Sequence, residues 1–204
     1  MHDAADSDAS AATLATYEQY ADRYIERTST VPSALVDDLI SLTGPAAVVL
    51  ELGSGPGRDA LALEAAGLIV HRTDGAVSFV NRLHQDGYRA NVLNVLTDDF
   101  GGPFDAIFAN AVLLHVPRGQ LQSVLTTALR ATRVDGVLVA SFKKGVGDEW
   151  SVRKLDAPRR FTYWQENDLQ HIVRAAGWTP IHIFESTAPK SSERWITLTA
   201  RNSS

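Results

Sequence analysis

Residues 51–63, ELGSGPGRDALAL, place three glycines at alternate positions between an apolar run and a helical segment. The apolar run before them, AAVVLEL, is continuous, as in a strand that is buried on both faces of a parallel sheet. Gly53, Gly55 and Gly57 permit tight backbone angles and leave room for ligand atoms against the main chain. The segment therefore predicts a strand, a loop and a helix that contact a ligand, with a plain tight turn as the alternative.

Strand and helix patterns alternate along the rest of the chain, which predicts an α/β protein with a doubly wound, mostly parallel sheet. We count seven strands. The last two, TPIHIFEST and RWITLTA, have no helix between them and predict a C-terminal antiparallel hairpin. Helical patterns over residues 12–27 and 33–42 predict N-terminal cap helices. We expect a disordered tail over residues 1–11 and a single domain over residues 12–204, since 204 residues suit one domain.

Composition excludes several kinds of site. The chain has no cysteine, which excludes disulfides, thiolate zinc sites and a cysteine nucleophile, and its six histidines show no metal-ligand spacing. The net charge of −5 argues against nucleic acid as a general partner. No apolar run approaches the roughly 20 residues of a membrane helix, and the acidic start does not resemble a secretory signal. These features predict a cytoplasmic protein without a membrane partner.

The glycine spacing distinguishes between classes of nucleotide loop. A dinucleotide site has G-x-G-x-x-G, whereas Arg58 stands here at the third glycine position and Pro56 lacks an N–H. Asp74 ends the second strand, where a carboxylate can accept hydrogen bonds from both ribose hydroxyls, with a helix N-cap as the alternative. Arg58 lies in the first turn of a helix, where the dipole disfavours a cation. A ligand carboxylate would compensate for this, and a salt bridge with Asp59, Glu51 or another acid is the alternative.

Four segments together resemble the class I S-adenosylmethionine-dependent methyltransferases, from about Tyr17 to Ala200. They are VVLELGSGPGRDALALEAAG, HRTDG, VLNVLTDDFGGPFDAIFANAVLLHV and VDGVLVASF. GRDALAL and LLHVP are most similar to a bacterial group of small stand-alone enzymes, which also resembles the tellurite-resistance methyltransferases around the glycine loop. The resemblance implies a Rossmann-like fold and S-adenosyl-L-methionine as the cofactor.

The resemblance also implies cofactor contacts, position by position. Gly53 and Gly55 would lie close to the methionine part, Glu51 would orient its amino group, and Asp74 would hold the ribose. Further cofactor residues are Asn94 and Val95 beside the adenine, Asn110 and Ala111 beside the sulfonium, and Ser54, Gly57, Arg58, Gly75 and Tyr24. The family usually has aspartate at the position of Asn94, whose side-chain carbonyl can still accept a hydrogen bond from the adenine.

Methyl transfer is an in-line displacement that needs a base only when the nucleophile arrives protonated. His115, just past the fourth strand, is the candidate base, since its pKa range suits proton transfer near neutral pH; packing in the pocket wall is the alternative. Tyr17 and Tyr24 lie on an N-terminal helix, where they either pack or contact the ligands. No metal is implied.

The polar segment over residues 143–163 predicts a lid loop. Its basic side chains, together with Arg194, favour an anionic acceptor over a neutral one, because arginine binds carboxylates and phosphates at two points. The predicted substrate residues are Tyr17, Lys143, Arg153, Arg160 and Arg194. A solvated loop is the alternative for each residue.

The sequence therefore predicts an enzyme that transfers a methyl group to a small acceptor. The short N-terminal cap and the lack of an added substrate domain favour a small molecule. An RNA or protein methyltransferase and a non-catalytic S-adenosylmethionine-binding protein are the alternatives. The glycine spacing and Pro56 count against a nicotinamide oxidoreductase.

Overall fold

The computed structural model describes residues 2–187 and 193–203. Its helices are α1 (His2–Gln19), α2 (Ala21–Glu26), α3 (Leu35–Leu42), α4 (Arg58–Ala65), α5 (Val77–Gln85), α6 (Leu121–Arg130) and α7 (Glu166–Ala175). Its strands are β1 (Val48–Glu51), β2 (Ile69–Asp74), β3 (Ala90–Val92), β4 (Phe104–Ala109), β5 (Thr132–Lys144), β6 (Asp148–Ser151), β7 (Arg159–Trp164), β8 (Thr179–Thr187) and β9 (Arg194–Arg201). Two short 3-10 turns, Leu113–His115 and Arg118–Gln120, precede α6.

One sheet carries the site. β1 pairs in parallel with β2 and β4, β2 pairs in parallel with β3, and β4 pairs in parallel with β5. β9 pairs antiparallel with both β5 and β8, which closes the sheet with a hairpin. The predicted doubly wound, mostly parallel sheet with a C-terminal antiparallel hairpin is thus confirmed.

The apolar strands are buried on both faces, as their continuous hydrophobic runs predict. Alternate side chains of one strand reach opposite cores. Leu50 of β1 belongs to the core that also holds residues of α6 and α7. Its neighbour Val49 belongs to the core that holds residues of α3 and α4. These two layers fix the strands, so that their carboxyl ends and the loops after them meet at one edge.

The segment 143–163 differs from the lid loop that the sequence predicts. β6 and β7 form an antiparallel hairpin, and the end of β7 also pairs in parallel with the end of β5. The described residues therefore form nine strands rather than the predicted seven. The reason is visible in RRFTYW, where β-branched and aromatic residues favour an extended, half-buried strand despite the basic residues around them.

The N-terminal segment also differs from the prediction, because α1 begins at His2 instead of following a disordered tail over residues 1–11. Asp6 forms an ion pair with Arg160 of β7, and the segment is rich in alanine, which favours a helix. Thr16 Oγ1 donates to the Pro158 carbonyl at 2.7 Å, and Thr13 Oγ1 accepts from the Arg160 N–H at 3.0 Å. These contacts hold α1 against the β6–β7 hairpin.

Candidate functional site

A cavity of about 890 Å³ lies at the carboxyl end of the sheet, bounded by α1 and by the loops that follow β1 to β4. This volume is within the range of small-molecule sites, roughly 300–1,000 Å³. The predicted site residues that line it are Tyr17, Tyr24, Gly53, Gly55, Asp74, Gly75, Asn94, Val95, Asn110, Ala111 and His115. The structure thus brings together residues that are up to 98 positions apart in the sequence.

The glycine loop requires glycine at its first position. Gly53 has φ of +66°, and a Cβ there would lie 2.2 Å from Cγ2 of Val112. Gly55 also has a positive φ, +52°, and faces the Tyr24 ring. Gly53 and Gly55 line the cavity, so the backbone itself forms part of the wall.

Asp74 is buried at the end of β2 and holds the glycine loop against that strand. Its Oδ2 accepts from the Gly55 N–H at 2.8 Å, and its Oδ1 accepts from the Ala76 N–H at 2.9 Å. Burial raises the pKa of Asp74 to about 6, although these backbone donors favour the ionised form. Each carboxylate oxygen can accept a second hydrogen bond, so Asp74 keeps capacity for ligand hydroxyls. The N-cap alternative is wrong, because Ala76 occupies the N-cap position of α5.

Glu51 lies behind the glycine loop rather than in the cavity wall. It is 3% exposed, and its Oε2 accepts a hydrogen bond from Ser54 Oγ. Burial raises the pKa of Glu51 to about 7, and the Ser54 hydroxyl opposes this shift in part. A carboxyl group with this pKa changes its charge in response to a cation placed near it.

Arg58 forms the salt bridge that the sequence left as an alternative. Its Nε and Nη2 donate to the two oxygens of Asp59 at 2.9 and 3.0 Å. Asp59 is buried and also accepts from Asn110 Nδ2 at 2.8 Å. Arg58 therefore acts on the cavity through Asp59 and Asn110, and it does not line the wall. Ser54 and Gly57 also lie outside the lining.

Asn110 and Ala111, after β4, are held by a residue that the sequence reasoning missed. Ser141 Oγ donates to Asn110 Oδ1 at 2.9 Å and accepts from the Ala111 N–H at 2.8 Å. Ala111 has φ of +57°, which is unusual for a residue with a side chain. A lone serine in the apolar run VLVASF was the available signal for this position.

The adenine-side prediction rests on Asn94 and Val95, which both line the cavity after β3. Asn94 Oδ1 accepts from the Leu96 N–H at 3.0 Å, and the Asn94 N–H donates to Asp98 Oδ2 at 2.9 Å. These bonds fix the turn and leave the amide oxygen one further lone pair.

The sequence reasoning missed the apolar part of the cavity wall. It includes Leu14, Val77, Phe79, Leu93, Leu96, Val112, Val116 and Val124. Leu14 lies three residues before Tyr17 and four before Glu18 on α1, which was the signal for the two further α1 positions, Leu14 and Glu18. The others follow strands or lie on helices whose apolar side also serves the core.

His115 and Tyr17 form a hydrogen-bonded pair in the wall. His115 Nδ1 lies 2.6 Å from the Arg160 carbonyl oxygen, so Nδ1 carries the proton and donates. Its Nε2 lies 2.9 Å from the Tyr17 hydroxyl and accepts from it. Desolvation lowers the pKa of His115 to about 4, and Arg159 and Lys143 contribute in the same direction. The imidazole is neutral at pH 7, but its basic nitrogen is already occupied by Tyr17.

We therefore expect His115 to titrate below pH 5 and to keep the Nδ1–H tautomer, which nitrogen-detected NMR can measure. A Tyr17→Phe variant should shift the Nε2 resonance and leave Nδ1 unchanged. The exposed His71 serves as the internal control in the same spectra. A His115 pKa near 6.5, or an Nε2–H tautomer, would contradict this assignment.

The predicted substrate cations do not converge on the cavity. Lys143 and Arg153 both pair with Glu193, at 3.0 and 3.4 Å. Arg160 pairs with Asp6 and Asp148, and Arg194 pairs with Glu185. None of the four predicted cations lines the cavity, because acids on other elements neutralise them.

Residues 50–140 match a protein-family model described as a methyltransferase domain. No curated protein sequence showed significant similarity to the chain.

In the described part of the chain, no helix combines the length and hydrophobicity needed to cross a membrane. The same residues contain no group of three or more acidic or histidine side chains that could hold a metal ion.

Solved structures with the same fold include three that are informative. One is the 1,6-didemethyltoxoflavin-N1-methyltransferase of Burkholderia thailandensis with bound 1,6-didemethyltoxoflavin and S-adenosylhomocysteine. It is 23% identical, with 83% of this chain and 77% of that chain covered and a TM-score of 0.66. The CcbJ methyltransferase of Streptomyces caelestis is 17% identical over 93% and 98% of the two chains, with a TM-score of 0.74. TehB of Haemophilus influenzae is 20% identical over 81% and 60%, with a TM-score of 0.64. At these identities the likeness shows the fold.

Proposed function

We propose that this chain, which carries a class I S-adenosylmethionine-dependent methyltransferase domain, transfers the methyl group to a small acceptor, and to an anionic one in preference to a neutral one. The observation that carries the proposal is the junction of Asp74 with the glycine loop inside the cavity. There a carboxylate and a backbone wall that tolerates no side chain at Gly53 lie side by side. A nucleoside with an amino-acid arm has the groups that such a junction can bind.

The residues present fit S-adenosylmethionine. Asp74 would hold the ribose, Asn94 and Val95 would lie beside the adenine, and Gly53 and Gly55 would lie along the methionine part. The bound cofactor supplies an activated methyl group, and the protein binds and orients both reactants. With His115 neutral and its basic nitrogen occupied, a positioning role for this residue is the simpler assignment, and a role as base requires Tyr17 to move away.

The wall that α1 adds to the cavity supports a small acceptor. α1 covers the cavity, and the β6–β7 hairpin is bonded to α1 from behind. A cavity walled in this way favours an acceptor that fits inside it over an RNA or a folded protein. The negative net charge also disfavours an RNA acceptor.

The first test is calorimetric titration with S-adenosylhomocysteine, with NADH as the control ligand. We expect micromolar binding of S-adenosylhomocysteine and none of NADH. Transfer of radiolabelled methyl groups is then measured on small organic acids, on the matching neutral amides, and on RNA and protein pools. Preference for the acids supports the proposal, whereas binding without turnover on any pool supports a non-catalytic S-adenosylmethionine-binding protein.

A further inference from the structure

The side-chain amide of Asn110, directly after β4, lines the cavity and is held in one orientation. Ser141 Oγ accepts from the Ala111 N–H at 2.8 Å, so its own proton is donated to Asn110 Oδ1 at 2.9 Å. Asn110 Nδ2 donates to a carboxylate oxygen of Asp59 at 2.8 Å, and a flipped amide would set two oxygens against each other. The second N–H of Nδ2 has no partner in the described part of the chain, so Asn110 can donate one hydrogen bond to a ligand.

His115 and Tyr17 present no free basic atom to the cavity. Nδ1 of His115 donates to the Arg160 carbonyl, and Nε2 accepts from the Tyr17 hydroxyl. This hydroxyl also accepts from Arg159, and burial raises the pKa of Tyr17 above its ordinary value, so the phenol keeps its proton. Burial lowers the pKa of His115 to about 4, and the charges of Arg159 and Lys143 act in the same direction. A proton from a bound molecule therefore has no acceptor in this pair at neutral pH.

Asp74 lies too far from Asn110 to serve as a base for a molecule held there. The two residues stand at the same level of the sheet, because each comes two positions after a residue that pairs with Glu51, Arg72 in β2 and Phe108 in β4. Since β1 lies between these strands, their backbones are about 10 Å apart, twice the spacing of paired strands. A base has to be within hydrogen-bond reach of the proton that it takes.

Glu18 belongs to the Asp74 side of the cavity. Its Oε2 accepts from the N–H and the hydroxyl of Ser78, at 3.0 and 3.2 Å, in the first turn of the helix that follows β2. Tyr24 is a phenol whose pKa burial raises, as it does for Tyr17. The titratable residues among the described cavity lining are Tyr17, Glu18, Tyr24, Asp74 and His115. None of them offers a free basic atom beside Asn110.

We propose that the acceptor reacts through an oxygen or sulfur atom that is already deprotonated when it enters the cavity, with Asn110 as its hydrogen-bond donor and without a protein base. The inference rests on the proposed function and names the chemistry of its acceptor, which is a thiolate, a carboxylate or an acidic phenolate. A lone pair of this atom forms the bond to the methyl carbon while the bond from that carbon to sulfur breaks, and the sulfur keeps the electron pair. No proton moves in the step.

The surroundings of Asn110 suit such an anion. Val112 and Val116 line the cavity on the segment that follows, and charges of opposite sign attract more strongly where little water is present. The Asn110 N–H replaces part of the solvation that the anion loses. A protonated amine or an alcohol is a poor acceptor in this setting, because no described group of the lining can take its proton.

The first arm of the test measures binding to protein saturated with S-adenosylhomocysteine. The probes are 4-nitrophenol, 4-nitrothiophenol and 4-nitrobenzoate, and 4-nitroanisole serves as the control without an ionisable group. The affinity for 4-nitrophenol should rise about tenfold per pH unit up to its own pKa and then stay constant, while 4-nitroanisole should bind equally at every pH. Affinity for 4-nitrophenol that does not change with pH, or no binding of any ionisable probe, would overturn the inference.

The second variable in this arm is Asn110 itself. Asn110→Ala should weaken the binding of 4-nitrophenolate at least fivefold and leave that of 4-nitroanisole unchanged. Asn91→Ala, which removes an exposed amide on β3, is the matched control and should behave as the wild type. Melting temperatures show whether each variant is folded. A folded Asn110→Ala protein with undiminished affinity for the phenolate would contradict the assigned donor.

The second arm follows methyl transfer from S-adenosylmethionine to a series of phenols, from 4-nitrophenol to phenol, whose pKa is about 10. The midpoint of each pH profile of kcat/KM should equal the pKa of the acceptor used. His115→Gln, whatever its effect on the rate, should leave these midpoints in place. One midpoint shared by all acceptors, or a midpoint that His115→Gln displaces, would identify a protein base and overturn the inference.

Failure of this inference and failure of the proposed function give different results. If the wild type binds no S-adenosylhomocysteine, the methyl-transfer function fails and the inference fails with it. If the protein binds S-adenosylhomocysteine and methylates amines or alcohols of the wider pools but none of the phenols, thiols or acids, the function stands and the inference fails.

Discussion

Replacing Asp74 by alanine is expected to weaken the binding of S-adenosylhomocysteine by about 30-fold, which corresponds to roughly 2 kcal/mol. In the proposed binding mode the variant would lose a charged acceptor for the ribose hydroxyls. It also leaves the Gly55 and Ala76 N–H groups without their partner, so the glycine loop loses its bond to the end of β2. Calorimetric titration of the wild type and the variant measures the effect directly.

The matched control for this prediction is Asp86→Ala, which removes an exposed acid that pairs with Arg82 at the end of α5. Its affinity for S-adenosylhomocysteine should equal that of the wild type. Thermal unfolding of both variants separates a local loss of the ribose contact from general destabilisation. If a folded Asp74→Ala protein binds with unchanged affinity, the cofactor does not lie at the end of β2.

The binding of S-adenosylhomocysteine is expected to strengthen as the pH rises from 5.5 to 8 and to release protons. In the free protein, burial raises the pKa of Glu51 to about 7 and that of Asp74 to about 6, so both carboxyls are partly protonated in this range. In the proposed binding mode the ligand ammonium lies near Glu51, where it would favour the ionised form and expel the proton. Linkage then lowers the affinity by up to about tenfold per pH unit below the pKa for each coupled group.

Calorimetry in buffers of different ionisation enthalpy counts the released protons. In Glu51→Gln the release near pH 7 should vanish, while the part that belongs to Asp74 near pH 6 remains. His84→Gln, a change at an exposed histidine, is the control and should leave the proton count unchanged. Binding that is independent of pH between 5.5 and 8 would show that Glu51 lies too far from the ligand to respond.

A rise in pH strengthens ligand binding through the carboxyl group of Glu51, but through the same group it lowers the stability of the free protein. Because its pKa is higher in the folded state than in the unfolded state, the folded chain holds more protons between about pH 4.5 and 7. Its contribution to the free energy of unfolding therefore falls as the pH rises through this window and stays low above it. Glu51→Gln should accordingly stabilise the free protein at pH 8 while weakening the binding of the cofactor. Such a conflict between stability and binding is common at functional sites.

The sequence predicted the part of the site that depends on local order along the chain. Gly53 and Gly55 follow β1, Asp74 ends β2 and Asn94 follows β3, and parallel strands bring their carboxyl ends to one edge. The period of the apolar residues was therefore enough to gather residues from the ends of three separate strands. The resemblance to a known family added their expected roles.

The sequence could not predict which cations stay unpaired, because that depends on contacts between distant elements. Arg160 meets Asp6 across 154 positions, and Lys143 meets Glu193 across 50. The side chains of Arg159 and Arg160 lie on opposite faces of β7, since successive side chains of a strand alternate between its faces. The β6–β7 hairpin was not predicted for a similar reason. Its basic residues are typical of a solvated loop, and the strand that β7 pairs with in parallel, the end of β5, is distant in the sequence.

The cover of the cavity has a kinetic consequence. α1 is joined to the β7 segment through polar contacts of Thr13, Thr16 and Asp6, and to α5 through a small apolar cluster that holds Leu14, Tyr17 and Phe79, while neither main apolar core includes it. Elements held in this way open at a fraction of the free energy of global unfolding, and they do so more often than the sheet beneath them. We therefore expect a change at Thr16, which bonds to the Pro158 carbonyl far from the glycine loop, to alter the rate at which a molecule enters and leaves the cavity.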